Sequence, residues 1–342
     1  MRAHLRTVAV VALAAALLAW FLRNANLGLV WDEIRHGSPG MLALAIGTIV
    51  ATYVLRAVRW RYLLLPLGDA RLWPCFRTTV IGFAASALLP ARAGEVVRPY
   101  LLAKEVGLSA TAAFATIIVE RLLDLLTVFV LFAMYLIVFD TGMASLDPAI
   151  FRALQAGGMA AGVLAVAVLI VMMVLAGHPE RLAAWALRAE RVLPSRVAVA
   201  VARLVRLFVE GLAVVRQPSR MATSAALSLP LWLSIAAGIW ATSRAFHIEM
   251  PFTGSFLMLA ILVVGVAVPT PGAVGGFHEA YRIGVTVFFH TPNDKAVGAA
   301  IVLHAISFVL VAIVGVALML QAGLNLGRVS RIAARGPAQE AL

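Results

Sequence analysis

Charge is scarce in this chain, and negative charge is scarcest. Of 342 residues only 13% are Asp, Glu, Lys or Arg, and 16 of them are acidic. A soluble surface of this length needs far more, so a soluble multi-domain protein is excluded. Cysteine is almost missing. Cys75 stands alone, which excludes an internal disulfide and a Cys-based metal cluster; it reads as a small packed or lipid-facing residue. No phosphate-binding P-loop occurs, so no ATP-driven element is expected. No second His follows His278 at four residues, which excludes the zinc-protease pattern. The glycines at 272, 275 and 276 follow no strand pattern and make no dinucleotide fingerprint. The expectation is a chain with no cofactor, no metal site and no assigned catalytic residue.

What remains is apolar. Hydrophobic residues make up 63% of the chain and the mean hydropathy is +0.98. The net charge of +12 does not point to nucleic acid, because the basic residues lie between apolar runs. There they set topology and meet anionic head groups. Full membrane spans read as Val8–Leu22, Met41–Leu55, Ala110–Phe139, Leu154–Ala176, Met221–Arg244 and Ala296–Gln321. The first reads as a retained signal anchor. Phe76–Leu89 and Phe252–Val268 are shorter and end at Pro90 and Pro269, lengths that suit re-entrant hairpins. Tyr281–Phe289 reads as the return arm of the second. With the N-terminus inside and both hairpins re-entrant, 21 basic residues face the cytoplasm and 6 face outward, with Arg121 inside a span. The positive-inside rule therefore favours six spans, two hairpins and both termini in the cytoplasm.

The expected fold is an all-α polytopic membrane protein with about six transmembrane helices plus two re-entrant hairpins in an inverted repeat. One domain covers 1–325, with repeat 1 at about 41–139 and repeat 2 at about 221–322. Between them, 178–220 reads as a cytoplasmic amphipathic linker on the leaflet surface. A basic tail occupies 326–342. The repeat is carried by Pro90-x-x-x-Gly94 and Pro271-x-x-x-Gly275, and by Glu120 matching His304. The proline-to-polar spacing is 30 residues in one copy and 33 in the other.

Helix-breaking backbone in such a chain must be buried in protein or line a polar cavity. Pro90, Gly94, Pro269 and Pro271 read as hinges at two loops that meet near the midplane, as broken segments of inverted repeats do. Arg92, Glu95 and Arg98 recur every three residues in the first loop, and an Arg fork matches phosphate. Gly272, Gly275 and Gly276, succeeded by His278 and Glu279, give the second loop close backbone approach. Glu120, Arg121 and Asp124 sit on one apolar span, where each ionisable group costs roughly 2.5–3.5 kcal/mol at the centre. They read either as a clamp or as a polar site, with Arg121 paired to Asp124 at three-residue spacing. Arg56, Arg59, Trp60 and Arg61 end a span and read as interface anchors.

Together Arg59-Trp-Arg-Tyr-Leu-Leu, Leu88-Leu-Pro-Ala-Arg-Ala-Gly-Glu-Val-Val-Arg-Pro-Tyr, Glu120-Arg-Leu-Leu-Asp and Pro269-Thr-Pro-Gly-Ala-Val-Gly-Gly-Phe-His-Glu resemble the flippase-like transmembrane region of lysylphosphatidylglycerol synthases. The resemblance spans about residues 5–325. It implies a bacterial inner-membrane protein that moves a lipid between leaflets: a phospholipid, aminoacyl-phospholipid, hopanoid or polyprenyl-linked lipid. It also brings Arg59 into the expected substrate site beside the loop and span residues above, and His304 joins them as the repeat match of Glu120. The bifunctional synthases add a soluble domain, and the chain ends about twenty residues after the last span, so synthase activity is not inherited. The alternatives are a membrane transferase acting on a lipid-linked substrate, with Glu120, Asp124, His278 and Glu279 as acid and base groups, and a scaffold for a lipid-biosynthetic enzyme. The expected partners are membrane lipid, such an enzyme, and a second copy of the chain.

Overall fold

The structure is a computed structural model that describes residues 2–89, 92–138, 207–268 and 270–335, with scattered helical positions between 152 and 171. The described elements are all helices, with no strand among the described residues. Pro90 and Pro269 fall outside the described residues. So do 172–206, the bulk of the expected linker. Its remaining part is helical at 207–211 and forms a 3-10 turn over Leu212–Arg216.

Helix α1 covers Arg2–Leu22 and α2 covers Leu27–Arg35, bent by 84° between them. Asn26 makes that corner: its side chain accepts from the Gly28 amide at 3.0 Å and caps α2. Helix α3, Pro39–Leu64, starts with proline in the first turn, where its missing N–H costs nothing. Helix α4, Leu72–Leu88, packs against α5, Gly94–Val106, which ends on Gly107 at φ +75°. Helix α6 runs for 29 residues, Ala110–Val138.

The second half keeps the same order. Helix α7, Pro218–Ala245, is long, and again opens on proline. Helix α8, Gly254–Ala267, and α9, Gly276–Phe288, form a second hairpin. Helix α10, Asn293–Gln321, is the long closing helix, with one π-helical turn over Ala305–Val309 directly after His304. Helix α11, Leu326–Arg335, occupies the stretch read as a basic tail.

By length and apolarity three described helices suffice to cross a bilayer, α3, α7 and α10, or four if α1 and α2 make one bent span. Helix α6 is longer than α3 but carries three charges in its interior. The 17 residues of α4 and 14 of α8 reach about 26 and 21 Å at 1.5 Å per residue. Both fall short of a hydrocarbon core of about 30 Å. The apolar segments singled out at 76–89 and 252–268 are thus the first arms of two short hairpins.

Lipid gives helices no hydrophobic reason to associate, so close packing and polar contacts must do so. The α3–α7 pair shows this. Ala45 and Ala241 are fully buried, the Gly238 surface meets Thr48, and Thr52 Oγ1 lies 2.7 Å from Ser234 Oγ. Each hairpin closes through glycine. A Cβ on Gly94 would run into the Gly82 carbonyl, and one on Gly276 into the Gly265 carbonyl. In both hairpins a glycine of the first arm lies flat against the first residue of the second. The arms also cross-pack: α4 lies on the later part of α10, and α8 lies on α6. Apolar clusters lie at both ends of the buried charges, one around Trp60, Leu64, Leu102 and Leu212, the other around Leu131, Trp232, Phe256 and Tyr281.

Candidate functional site

A residue pattern on three helices sets the site. On α3, Arg56, Arg59 and Trp60 share one face. On α6, Glu120 and Asp124 are four apart. On α7, Ser224, Ser228 and Trp232 recur every fourth residue. Helical geometry turns each set toward one side, and the three sides meet.

Asp124 and Glu120 are buried among guanidiniums. Arg59 Nη1 lies 2.7 Å from Asp124 Oδ1 and its Nη2 lies 3.6 Å from Glu120 Oε1. Arg98 Nη1 donates to Glu120 Oε1 at 3.0 Å, and Arg121 Nη2 binds the same oxygen. Arg121 also reaches Asp124 Oδ2 at 3.3 Å, as its three-residue spacing requires. Arg56 Nη1 stands 3.9 Å from that oxygen. Trp232 Nε1 donates to Asp124 Oδ1 at 2.9 Å, and Arg59 Nη1 donates to Ser228 Oγ at 2.7 Å. The Arg98 guanidinium stacks 3.9 Å above Trp60, whose indole N–H donates to Thr116 Oγ1 at 2.9 Å. This is a network with four cations and two anions.

The segment at 56–61 is therefore not an interface anchor. Arg59 and Trp60 are fully buried and Arg56 nearly so. Only Arg61 behaves as a surface residue, paired with Asp69 at 3.2 Å. The reason is the helical period: residues 56, 59 and 60 point inward and 61 points out.

Beside the network lies a cavity of about 850 Å³. Both hairpin tips line it. From the first come Gly94, Glu95, Arg98 and Arg92, the last with φ +51°. From the second come Thr270 and Gly272, at φ +58°. The tips touch: Arg92 Nη2 donates to the Val266 carbonyl at 2.9 Å, and α4 packs on the 3-10 turn Pro271–Ala273. Arg121 and Asp124 line the cavity from α6, and Arg56 from α3. The rest of the wall is mostly apolar, with Phe83, Leu259, Leu262 and Val263 among its members.

The other expected site residues stand away from the cavity. Glu120 and Arg59 form the layer behind its wall, both fully enclosed. His304 Nε2 lies 2.7 Å from the Gly272 carbonyl and supports the lining from outside. His278 lies against His304 with ring centroids 4.3 Å apart and the rings tilted by 34°, and its Nδ1 accepts from the Gly275 amide at 3.3 Å. Gly275, at φ +86°, packs on Leu17 of α1. Gly276 makes the hairpin seal. Glu279 is clamped by Arg282, which also donates to Asn293 Oδ1 at 3.1 Å. That cluster fastens α9 to the start of α10.

Sequence reasoning missed Arg56, Tyr53 and Trp232 as lining residues, and Gly82 and Gly265 as hairpin seals. The signal for Trp232 was the Ser-x-x-x-Ser-x-x-x-Trp stripe in an apolar span, polar groups on one face that need partners there. Among the described residues no group of three or more His, Cys, Asp or Glu could hold a metal ion.

Residues 7–315 match the family model described as the lysylphosphatidylglycerol synthase TM region. The chain belongs to that family. It is 26% identical over 338 residues to the glycosyltransferase AglD of Haloferax volcanii, a match covering 92% of this chain and 53% of that protein. It is 32% identical over 128 residues to a UPF0104 membrane protein of Methanothermobacter thermautotrophicus, covering 36% of each. The chain thus spans about half the length of the first relative and about a third of the second. Family membership and the long apolar helices together make this a multi-pass membrane protein with a lipid-related role.

Proposed function

We propose that this protein moves a lipid between the leaflets of a bacterial inner membrane, with the head group in the cavity between the hairpin tips and the acyl chains in the bilayer. The observation that carries the proposal is the joint lining of one partly apolar cavity by arginines and by both broken segments. Unpaired backbone at such tips has no partner in lipid, and a polar head group supplies one. The repeated order of long helix, hairpin and long helix supports an inverted repeat, as do the two glycine seals and the reciprocal packing of α4 on α10 and α8 on α6. In that arrangement six helices cross, the hairpins enter from opposite sides, and both termini are cytoplasmic. A cysteine introduced at position 200 in a Cys75→Ser background is expected to label only from the cytoplasm. Labelling only from the periplasm would reject this topology.

The transport test is direct. Purified protein in liposomes should speed the leaflet exchange of a fluorescent phospholipid well above protein-free liposomes. Arg92→Ala should slow that exchange about tenfold while costing no more than about 1 kcal/mol of stability, because the Arg92 side chain is half exposed, its ion pair with Glu95 is 4.0 Å long and the bond lost is its exposed hydrogen bond to the Val266 carbonyl. Folded wild-type protein that gives no exchange above background would end the proposal. The name of the Haloferax relative keeps a transferase in view. Against it, Glu120 is wholly enclosed and among the described residues its ion-pair partners are three arginines, so it is not placed to exchange a proton with a substrate. A partner enzyme or a second copy of the chain would then serve delivery or removal of the lipid.

A further inference from the structure

The charges around the cavity do not balance. Six charged side chains line it among the described residues: Arg56, Arg92, Arg98 and Arg121 against Glu95 and Asp124. Four cations against two anions leave an excess of two positive charges. The layer behind adds Arg59 and Glu120, one of each sign, and leaves the excess unchanged. Arginine cannot escape by losing its proton, and an uncompensated charge in a low-dielectric site is costly. Arg56 and Arg98 are themselves more than nine-tenths buried. Their Nη1 and their Nε and Nη2 respectively have no hydrogen-bond partner among the described residues, and neither does Arg121 Nε. Thr270 adds a buried, unpartnered hydroxyl from the second hairpin tip. The site therefore offers an excess of about two positive charges to something bound.

We infer that the cavity takes a lipid phosphate monoester, whose head group carries two negative charges, in preference to a phosphodiester, which carries one. The monoester matches the excess and exposes three oxygens to the guanidinium forks. A diester would leave one buried positive charge without a partner. The apolar wall formed by Leu259, Leu262 and Val263 of α8 receives the start of the chain, which a free phosphate would leave empty. This inference rests on the lipid-translocation reading and specifies its substrate class.

The test uses the full-length protein in mild detergent at about pH 8, where a phosphate monoester is close to doubly charged. Phosphatidic acid and phosphatidylglycerol are offered at equal amounts and retention is read by native mass spectrometry. Phosphatidic acid should be retained about tenfold over phosphatidylglycerol. Arg56→Gln lowers the excess to one, so the preference should fall below about threefold. Arg56 holds its nearest carboxylate only at 3.9 Å, so this variant should fold; if it does not, the wild-type ratio alone decides. Millimolar inorganic phosphate should fail to displace phosphatidic acid, and displacement would show a free-anion site and overturn the inference. Equal retention of the two lipids overturns the charge assignment and leaves translocation standing. Retention of neither removes both readings.

Discussion

Glu120→Gln is expected to lower the stability of the purified protein by about 3–5 kcal/mol, the usual cost of breaking a buried ion pair on one side. Glu120 Oε1 meets Arg59, Arg98 and Arg121 at once, and the carboxylate is fully enclosed. Glutamine keeps the shape and removes the charge. Arg56, Arg59 and Arg121 would then share Asp124, Arg98 would lose its carboxylate partner, and four cations would face one anion. Arg98→Gln in the same chain should recover part of the loss, since coupled charges are not additive. Thermal unfolding of the single and double variants in one detergent measures both effects. A single variant that melts within a degree of wild type would show that the network does not hold the helices together. Lost transport in Glu120→Gln is therefore to be read only beside its melting curve.

Gly94→Ala should cost at least about 1–3 kcal/mol and reduce lipid exchange about tenfold or more, as forced overpacking of a close contact does. The added Cβ has no room, because the Gly82 carbonyl and Ser86 Oγ occupy its place. The Ser86 hydroxyl also accepts the Gly94 amide at 3.1 Å, so pushing the arms apart breaks that bond too. The displaced tip carries Arg92, Glu95 and Arg98 into a different relation to the second hairpin. Gly40→Ala is the control, since nothing lies near its Cβ position and alanine is the better helix former. The comparison is read in melting temperature and in exchange rate. If Gly94→Ala behaves like Gly40→Ala, the glycine contact is not what closes the hairpin.

Much of this architecture was legible because the bilayer limits what a sequence can do. The short runs ending before Pro90 and Pro269 are too short to cross, and they became the first arms of the two hairpins. The charges at 120, 121 and 124 had to find partners. The Arg121–Asp124 pair is set by spacing alone and is found at 3.3 Å. Spacing within one helix does not reveal which other helix supplies the remaining partners. Arg98 and Arg59 reach Glu120 from α5 and α3, and Trp232 reaches Asp124 from α7. Those are choices of tertiary packing. His278 and Glu279 were placed in the binding site because the loop at 269–279 was read as one unit, and His304 because the repeat matches it with Glu120. The loop instead divides at Gly275: Thr270 and Gly272 face the cavity, while the residues after it start α9 and pack on α1 and α10. Gly82 and Gly265 lay inside runs without other punctuation, where a glycine reads as a weak helix position and not as a contact.

Because each hairpin is held shut by main chain meeting main chain, its outward side chains have little part in its shape. Val264 is 71% exposed, and Ile283 and Val287 are also exposed along the second hairpin. These positions are open to chemical labels, whereas the glycine faces are not. A fluorophore or spin label at Val264 would ride on a hairpin whose fold it does not disturb. The rigid seam turns that hairpin into a reporter arm, from which the motion of its tip during a transport cycle can be tracked in a working membrane.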